Sequence, residues 1–161
     1  MRGKRLTNHA VTMDVREICK QVVVVAYRGM ALNEAARLMR EHHVGSLVVV
    51  EERDAGKSPI GILTDRDIAI AVVARDLDPR TLAVSEVMTT DVVSIRDDDS
   101  ILDALALMRR RGVRRVPVVT RAGLLVGILT LDDLMRILVA QLDDLVGAIS
   151  GEFSAEVRER S

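Results

Sequence analysis

The chain has 161 residues, a length that allows one compact core. Its formal net charge of −1 gives no field to attract nucleic acid or anionic lipid, and its 1% of aromatic residues argues against base stacking. No apolar run could span a membrane, and the N-terminus lacks the apolar stretch of a signal peptide, so we expect a cytoplasmic protein.

The first half of the chain predicts a strand, a helix and a strand hairpin. Residues 22–25 form a valine run that is typical of a strand. Residues 44–50 and 60–63 are also rich in β-branched side chains, and the polar turn between them predicts a hairpin. The helix lies after the first strand, where apolar residues recur every three or four positions. Its expected core-facing residues are Leu32, Ala35, Ala36 and Met39.

A second helix closes this half of the chain. It covers about residues 65–75 and is apolar nearly all round, so we expect it to be buried on most of its faces. Residues 76–82 contain a proline that stops the helix, and we interpret them as a linker. A flexible tail is therefore expected at residues 1–12 and a first repeat at residues 13–75.

The second half, residues 83–140, repeats this order of elements. Strands are predicted at residues 92–95, 113–119 and 124–129, with a helix after the first of them. The expected core-facing residues of that helix are Ile101, Ala104, Leu105 and Met108. Because Pro117 cannot donate a ladder hydrogen bond, we expect it at a sheet edge or at a bulge.

Two local patterns define the helices of this half. Ser100 followed by Asp103 resembles a capping box at the start of the first helix. The last helix carries an apolar stripe that continues into residues 141–161, which we interpret as a helical extension with a frayed tail from residue 152. The stripe consists of Leu131, Leu134, Leu138, Leu142, Leu145 and Ile149. We expect a second subunit to cover it, with a folded-back tail as the alternative.

The two halves match residue by residue. Residues 15–19 correspond to residues 84–88, a step of 69 positions. The sequence Gly-Ile-Leu-Thr-x-x-Asp occurs at residues 61–67 and again at residues 127–133, a step of 66 positions. We expect the duplicated units to bury their apolar faces against each other and to leave a symmetric cleft, where function should be sought.

This motif places a threonine where a strand passes into a helix, and an aspartate three residues later. One interpretation is structural: Thr64 with Asp67, and Thr130 with Asp133, cap the helices, a contribution of about 1 kcal/mol each. The other is functional, since a helix N-terminus favours phosphate and a first-turn carboxylate can accept the hydroxyl groups of a ribose. The two interpretations are compatible, and the residues alone weigh them about equally.

The repeated βαββα unit that ends in this motif resembles a tandem pair of CBS domains, named for cystathionine β-synthase and often called a Bateman module. The resemblance covers roughly residues 11–140, and the strands Val-Gly-Ser-Leu-Val-Val-Val and Val-Arg-Arg-Val-Pro-Val-Val add to it. It implies a mixed α/β (α+β) fold in which two repeats pack as one pseudo-two-fold module with an extended C-terminal helix. It also implies two clefts that bind adenosine-containing ligands.

The resemblance assigns residues of each repeat to one cleft. The implied phosphate and ribose contacts are Thr64, Arg66 and Asp67 in the first repeat, and Thr130, Asp132 and Asp133 in the second. The implied adenine contacts are Val24, Val44, Ser46 and Leu47 in the first repeat, and Val93, Val113, Val116 and Pro117 in the second. Arg114 and Arg115 would reach phosphate, whereas the first repeat has His42 and His43 in that region. The second site therefore resembles a polyphosphate site more closely.

Three other features have ordinary interpretations. Cys19 is alone, which rules out an intramolecular disulfide, and we expect a half-buried side chain rather than a reactive thiol. His42 and His43 lack a third ligand at metal spacing, so we expect no metal requirement. Arg109 and Arg110 fall on a solvated helix face, and the near-neutral net charge argues against a nucleic-acid partner.

The sequence contains no catalytic set, since a nucleophile elbow, a phosphate-binding loop and a metal cluster are all missing. We therefore expect no enzyme. The leading hypothesis is a stand-alone regulatory protein that binds AMP, ADP or ATP and signals through a homodimer or an unknown protein target. S-adenosylmethionine or NAD is the alternative ligand. The alternative functions are a structural dimer with empty clefts and, third, ligand-gated DNA binding.

Overall fold

The structure, a computed structural model, describes the backbone of residues 13–159 and the side chains of residues 13–147. The tail expected at residues 1–12 lies outside the described residues. The helices and strands in chain order are α1 (Val15–Ile18), β1 (Val25–Tyr27), α2 (Leu32–Glu41), β2 (Ser46–Arg53), β3 (Gly56–Thr64), α3 (Asp65–Val72), β4 (Ile95–Arg96), α4 (Ile101–Arg111), β5 (Arg115–Val119), β6 (Leu125–Thr130) and α5 (Leu131–Glu159). Short 3₁₀ turns lie at Val73–Arg75 and Val84–Glu86.

Each repeat forms one three-stranded sheet, and the two sheets have the same topology. β2 lies between β1, which runs parallel to it, and β3, which runs antiparallel. β5 is flanked by β4 and β6 in the same manner. Both central strands also have a register shift at the equivalent place. In β2 the shift lies between Val49 and Val50, and in β5 it lies between Val118 and Val119. The predicted duplicated α/β fold is confirmed.

The first helix of each repeat packs one apolar stripe on its sheet. In α2 the side chains of Leu32, Ala35 and Met39 are buried, and in α4 the equivalent Ile101, Ala104 and Met108 are buried. Ala36 and Leu105, which were also expected in the core, are only half-buried. α4 begins at the predicted cap, where the Ser100 hydroxyl accepts a hydrogen bond from the Asp103 N–H at 3.1 Å.

The two repeats exchange their N-terminal turns. α1 leaves its own repeat and packs on the second core, where Val15 is fully buried beside Val116 and Leu129. The backbones of Lys20 and Ile128 exchange two hydrogen bonds of 3.0 and 2.9 Å, which fixes the end of this segment on β6. Each hydrophobic core therefore contains residues from both sequence repeats.

The 3₁₀ turn Val84–Glu86 of the second repeat packs in the same way on the first repeat. Val84 and Met88 belong to the core of the first repeat. The backbone of Thr89 exchanges hydrogen bonds of 2.9 and 3.0 Å with Ile62 on β3. Because each segment contributes buried apolar side chains to the opposite core, neither repeat has a complete core of its own.

The glycine that opens each Gly-Ile-Leu-Thr motif lies where an exchanged segment crosses the sheet. A Cβ atom at Gly127 would lie 2.7 Å from the Cys19 sulfur and 3.0 Å from the Lys20 carbonyl oxygen. A Cβ atom at Gly61 would lie 2.6 Å from the Met88 sulfur. These two glycines are required by close packing between the repeats.

Two sequence-based expectations about strands need correction. Residues 22–24 are not a strand: β1 begins at Val25, and Val22 is 89% exposed. Pro117 is not at a sheet edge, since β5 is the central strand, and the register shift begins one residue later. Its missing N–H instead shortens the neighbouring strand. In the first sheet the Val48 N–H donates to the Val24 oxygen at 3.4 Å, but the proline at the equivalent position cannot, so pairing with β4 begins one residue later.

The two helices that follow the motifs expose apolar side chains. The expectation that α3 is buried on most faces is wrong for a single chain, because only Val72 is buried and Ile70 is 54% exposed. In α5 Leu134 is fully buried, but the stripe beyond it is exposed. Its exposed side chains are Met135, Leu138, Val139, Leu142, Leu145 and Val146. The helix continues to Glu159, so the segment expected to fray from residue 152 is helical, while the side chain of Ile149 lies outside the described residues.

Candidate functional site

Two clefts lie between the repeats, one beside each Gly-Ile-Leu-Thr-x-x-Asp motif. The Thr64 cleft has a volume of about 420 Å³ and is lined by residues 64–67, 91–93 and 112–115. The Thr130 cleft has a volume of about 430 Å³ and is lined by residues 22–24 and 43–46, together with Lys20, Thr130, Asp132, Asp133 and Arg136. The steps of 69 and 66 residues that relate the repeats also relate the walls of the two clefts.

Each motif faces the strands of the other repeat. The resemblance groups Asp67 with Val24 and Val44, but the structure places it opposite Val93 and Val113. Val24, Val44 and Ser46 instead line the Thr130 cleft. The pairing is crossed because the segments that precede β1 and β4 pack on the opposite sheet, which a sequence repeat does not reveal.

Most of the predicted contacts lie in these clefts, but three do not. Leu47 and Val116 have no exposed surface and belong to the two hydrophobic cores. Pro117 is buried in β5, one residue beyond Val116. All three lie in central strands that are covered on both faces, so only the first residues of these strands reach a cleft.

The motif of the Thr64 cleft forms a reciprocal helix cap. The hydroxyl and the N–H of Thr64 both donate to Oδ2 of Asp67, at 2.7 and 2.9 Å, and the Asp67 N–H donates to the Thr64 hydroxyl at 3.1 Å. Within residues 13–147 the second carboxylate oxygen, Oδ1, has no hydrogen-bond or ion-pair partner. The cap therefore orients this carboxylate in the cleft and leaves one of its oxygens available.

The same cap in the Thr130 cleft carries an additional ion pair. The hydroxyl and the N–H of Thr130 donate to Oδ2 of Asp133 at 2.5 and 3.2 Å. The Lys20 ammonium lies 3.3 Å from Oδ1 of the same carboxylate, so both oxygens are occupied. Burial alone would raise the pKa of Asp133, but the hydrogen bonds from Thr130 and the charge of Lys20 outweigh it and hold the pKa below its usual value.

Two arginines at the start of β5 are shared by the clefts. Arg114 and Arg115 line both cavities. Arg115 also donates a hydrogen bond of 2.6 Å to the hydroxyl of Ser46, the residue at its own equivalent position in the first repeat. The guanidinium groups therefore lie near the axis that relates the repeats, rather than in the second site alone as the sequence suggested.

Several cleft residues are not predicted from the sequence. Lys20 and Arg136 add positive charge to the Thr130 cleft, and Asp65 and Asp91 add negative charge to the Thr64 cleft. The repeat itself predicts that Lys20 and Thr89 are equivalent, because the step of 69 residues that relates the two halves also relates these two positions. Their placement in a cleft depends on the exchange of segments.

Cys19, Arg109 and Arg110 lie as their ordinary interpretations predict. Cys19 is half-buried as expected, and burial raises the pKa of its thiol, which disfavours the reactive thiolate. Arg109 and Arg110 are exposed on α4. Among the side chains that the structure describes, no three His, Cys, Asp or Glu residues are grouped to hold a metal ion. None of the described helices is long and apolar enough to cross a membrane.

Each cleft combines an apolar wall with charged and hydrogen-bonding groups. Their volumes lie within the range of about 300 to 1,000 Å³ that is usual for small-molecule sites. Val92, Val93 and Val113 supply an apolar wall in the Thr64 cleft, as Val23, Val24 and Val44 do in the Thr130 cleft. Each cleft also contains a helix N-terminus, a capped carboxylate and guanidinium groups. Such a set suits a purine, a ribose and an anionic group.

Proteins of similar sequence include an uncharacterized protein of Methanopyrus kandleri, 34% identical over 83% of this chain and 68% of its own length. A CBS domain-containing protein of Bacillus subtilis is 40% identical over 75% of this chain and 82% of its own length.

Three solved structures share the fold. Hypoxic Response Protein I with two coordinated zinc ions has a TM-score of 0.66 and 35% identity, over 77% of this chain and 98% of its own. The CBS domain pair of protein MJ0100, in complex with 5′-methylthioadenosine and S-adenosylmethionine, has a TM-score of 0.70 and 25% identity, over 81% and 98%. A hexameric CBS-CP12 protein from bloom-forming cyanobacteria has a TM-score of 0.65 and 29% identity, over 76% and 69%.

The CBS domain family matches residues 15–74 and residues 84–140, that is, both repeats. The two matches and the shared architecture establish that this chain belongs to the CBS domain family and contains a tandem pair of its domains.

Proposed function

We propose that the protein is a regulatory module that binds adenosine-containing ligands, AMP, ADP or ATP among them, in the two clefts between its repeats. The observation that carries this proposal is the capped carboxylate. Asp67 is held by Thr64 through Oδ2 and keeps Oδ1 available in the cleft. A carboxylate held in this way can accept hydrogen bonds from both hydroxyl groups of a ribose, as acidic residues do in dinucleotide-binding folds.

The rest of the ligand would be held by the cleft walls. The purine ring would lie against Val92, Val93 and Val113, an apolar surface without aromatic side chains. A phosphate would lie between the N-terminus of α3 and the guanidinium groups of Arg114 and Arg115. The adenosine compounds bound by the CBS domain pair of MJ0100 support this class of ligand, with S-adenosylmethionine as an alternative to a nucleotide.

The output of the module would be a change in protein contacts. A second copy could cover the exposed apolar side chains of Ile70 on α3, of Val73 in the 3₁₀ turn that follows it, and of the stripe from Met135 to Val146 on α5. We propose a cytoplasmic homodimer with no catalytic activity of its own. If the clefts bind nothing, this same surface favours the alternative function, a dimeric scaffold. That no metal is required stays a prediction, since the structure of one relative contains zinc.

The ligand role and the capping role can be separated by Asp67→Asn. Asparagine keeps a carbonyl oxygen for the two hydrogen bonds of the cap but replaces the available oxygen with an amide. We expect the affinity for AMP, measured by isothermal titration calorimetry, to fall roughly ten- to a hundredfold, because a charged hydrogen-bond acceptor contributes about 1.5 to 3 kcal/mol. The free energy of unfolding without ligand should change little.

Asp103→Asn provides the matched control. Asp103 and the Ser100 hydroxyl exchange the same two hydrogen bonds at the start of α4, without the third bond that the Thr64 backbone N–H adds, and both residues lie outside the two clefts. Its substitution reports what the cap alone contributes, and it should leave nucleotide affinity unchanged. Equal loss of affinity in both variants would contradict the proposal, as would the absence of a thermal shift with AMP, ATP, S-adenosylmethionine and NADH. A ligand at a hundred times its dissociation constant should stabilise the protein by about 2.7 kcal/mol.

A further inference from the structure

We infer that the two clefts select different adenosine ligands. The Thr130 cleft takes a nucleoside polyphosphate, and the Thr64 cleft takes an adenosine compound whose 5′ substituent carries little or no negative charge. This inference rests on the proposed function and specifies the ligand class of each site. It is carried by side chains that differ between the clefts although the backbones that present them are equivalent.

The clearest difference is between Lys20 and Thr89. Lys20 pairs through its backbone with Ile128, and Thr89 pairs in the same way with Ile62, with hydrogen bonds of 2.9 to 3.0 Å in both cases. The two residues therefore occupy the same place in their clefts. One provides an ammonium group on a flexible stem, whereas the other provides a short neutral hydroxyl.

The ammonium of Lys20 makes the Thr130 cleft sensitive to the charge of its ligand. In the free protein it neutralises the oxygen of Asp133 that a ribose would use. A neutral adenosine compound would have to displace the ammonium without giving it a new partner. A polyphosphate offers that partner, because the lysine side chain is 58% exposed and can turn from the carboxylate to the phosphates. In the Thr64 cleft no such exchange is needed, since Oδ1 of Asp67 is available.

The charges that line the clefts differ in the same direction. Apart from the shared Arg114 and Arg115, the Thr64 cleft has three carboxylates and one guanidinium. The Thr130 cleft has two carboxylates, one ammonium and one guanidinium. The net charge of these unshared groups is therefore two units more negative in the Thr64 cleft than in the Thr130 cleft. The residues concerned are Asp65, Arg66, Asp67 and Asp91 in the Thr64 cleft, and Lys20, Asp132, Asp133 and Arg136 in the Thr130 cleft.

A strained histidine adds an independent observation. His43 lines the Thr130 cleft with a φ of 52°, in the left-handed region that disfavours residues with a Cβ atom. The equivalent residue in the Thr64 cleft is Gly112, with a φ of 63°. The same backbone shape is thus built with glycine in one cleft and with an imidazole in the other. A side chain kept at a strained position beside a cleft is typical of a binding role, and an imidazole can donate a hydrogen bond to phosphate.

Each test substitution replaces a residue of one cleft by the equivalent residue of the other cleft. Lys20→Thr gives the Thr130 cleft the residue of the Thr64 cleft, and Asp67→Asn in the same protein suppresses binding to the Thr64 cleft. In this background we expect calorimetry to show ATP binding about tenfold or more weaker, since one unit charge is lost at contact distance. The affinity for 5′-methylthioadenosine should stay unchanged or rise, because Asp133 is released.

Two further variants test the same inference from other positions. His43→Gly, again with Asp67→Asn, should weaken ATP binding and leave 5′-methylthioadenosine binding unchanged. Asp91→Val introduces the equivalent of Val22 into the Thr64 cleft. Combined with Asp133→Asn, which suppresses the Thr130 cleft, it should strengthen ATP binding severalfold.

The outcomes separate this inference from the function on which it rests. If Lys20→Thr weakens ATP and 5′-methylthioadenosine equally, or leaves ATP binding unchanged, the inference is overturned while the clefts remain adenosine sites. The same holds if Asp67→Asn and Asp133→Asn proteins bind the two ligands with the same ratio of affinities. If neither ligand binds the unmodified protein, the proposed function itself fails.

Discussion

A methyl group added at Gly127 should force β6 of the second repeat away from the segment of the first repeat that crosses it. In the unmodified protein this glycine allows Cys19 and Lys20 to cross β6 at close range. The Cβ atom of Gly127→Ala would meet the Cys19 sulfur at 2.7 Å and the Lys20 carbonyl oxygen at 3.0 Å. The carbonyl oxygen cannot yield easily, because it accepts the Ile128 N–H at 2.9 Å.

The expected loss of stability follows from these contacts. Overpacking a well-packed site costs about 1 to 3 kcal/mol, and contact with a hydrogen-bonded backbone atom places Gly127→Ala near the upper end. Gly61→Ala should cost less, because its nearest atom is the sulfur of Met88, a flexible side chain that can move away. The equivalent carbonyl oxygen, that of Thr89, lies farther from the added Cβ atom, at 3.2 Å. For a protein of this size, about 2 to 3 kcal/mol lowers the melting temperature by roughly 4 to 12 °C.

Urea denaturation followed by circular dichroism measures this loss. Gly147→Ala in α5 is the control, since a Cβ atom there meets nothing within 4 Å and alanine favours a helix. We expect the midpoint of Gly127→Ala to fall furthest, that of Gly61→Ala to fall less, and that of Gly147→Ala to hold or rise. Equal midpoints for Gly127→Ala and Gly147→Ala would refute the reasoning about exchanged segments.

The pKa of Asp133 is below its ordinary value of 3.8 in the folded protein, so its charge stabilises the fold above that value and the contribution is lost as the pH falls through the lowered pKa. The difference in unfolding free energy between the unmodified protein and Asp133→Asn should therefore shrink below about pH 4. A difference that stays constant with pH would contradict the role of the Asp133 charge in stability. Leu142, which is 60% exposed on α5, should lie in the homodimer interface. Leu142→Glu should therefore sediment as a monomer in sedimentation velocity and keep a normal helix content by circular dichroism. An unmodified protein that already sediments as a monomer would contradict this prediction.

The order of elements and the cores of both repeats could be predicted from the sequence because they depend on local periodicity. The buried positions of α2 and α4, and the cap at Ser100, follow from spacing alone. The lengths of the short first strands could not be predicted in the same way. A valine run has strand propensity wherever it lies, but pairing decides whether it forms a strand, and residues 22–24 line a cleft instead.

The candidate site was predictable as a set of residue types but not as two assembled sites. The two motifs identify Asp67 and Asp133 because cap geometry is local. Which strands face each carboxylate depends on the exchange of segments between repeats, a long-range feature without a local pattern. The same feature explains why Lys20, which follows α1 in the first repeat, forms an ion pair with a carboxylate of the second.

The position of the clefts suggests how a ligand could act on the exposed helices. Thr130 is the last residue of β6, and α5 begins at the next residue, so a ligand held by this cap contacts the start of the helix that carries the exposed stripe. Thr64 stands in the same relation to α3, which exposes Ile70 and is followed directly by the exposed Val73. A ligand can shift such a helix only by the difference in its affinity for two arrangements. For the proposed ligand, the group that would bind it and the group that begins the helix are the same capped turn, so a change at either carboxylate would act directly on the proposed interaction surface.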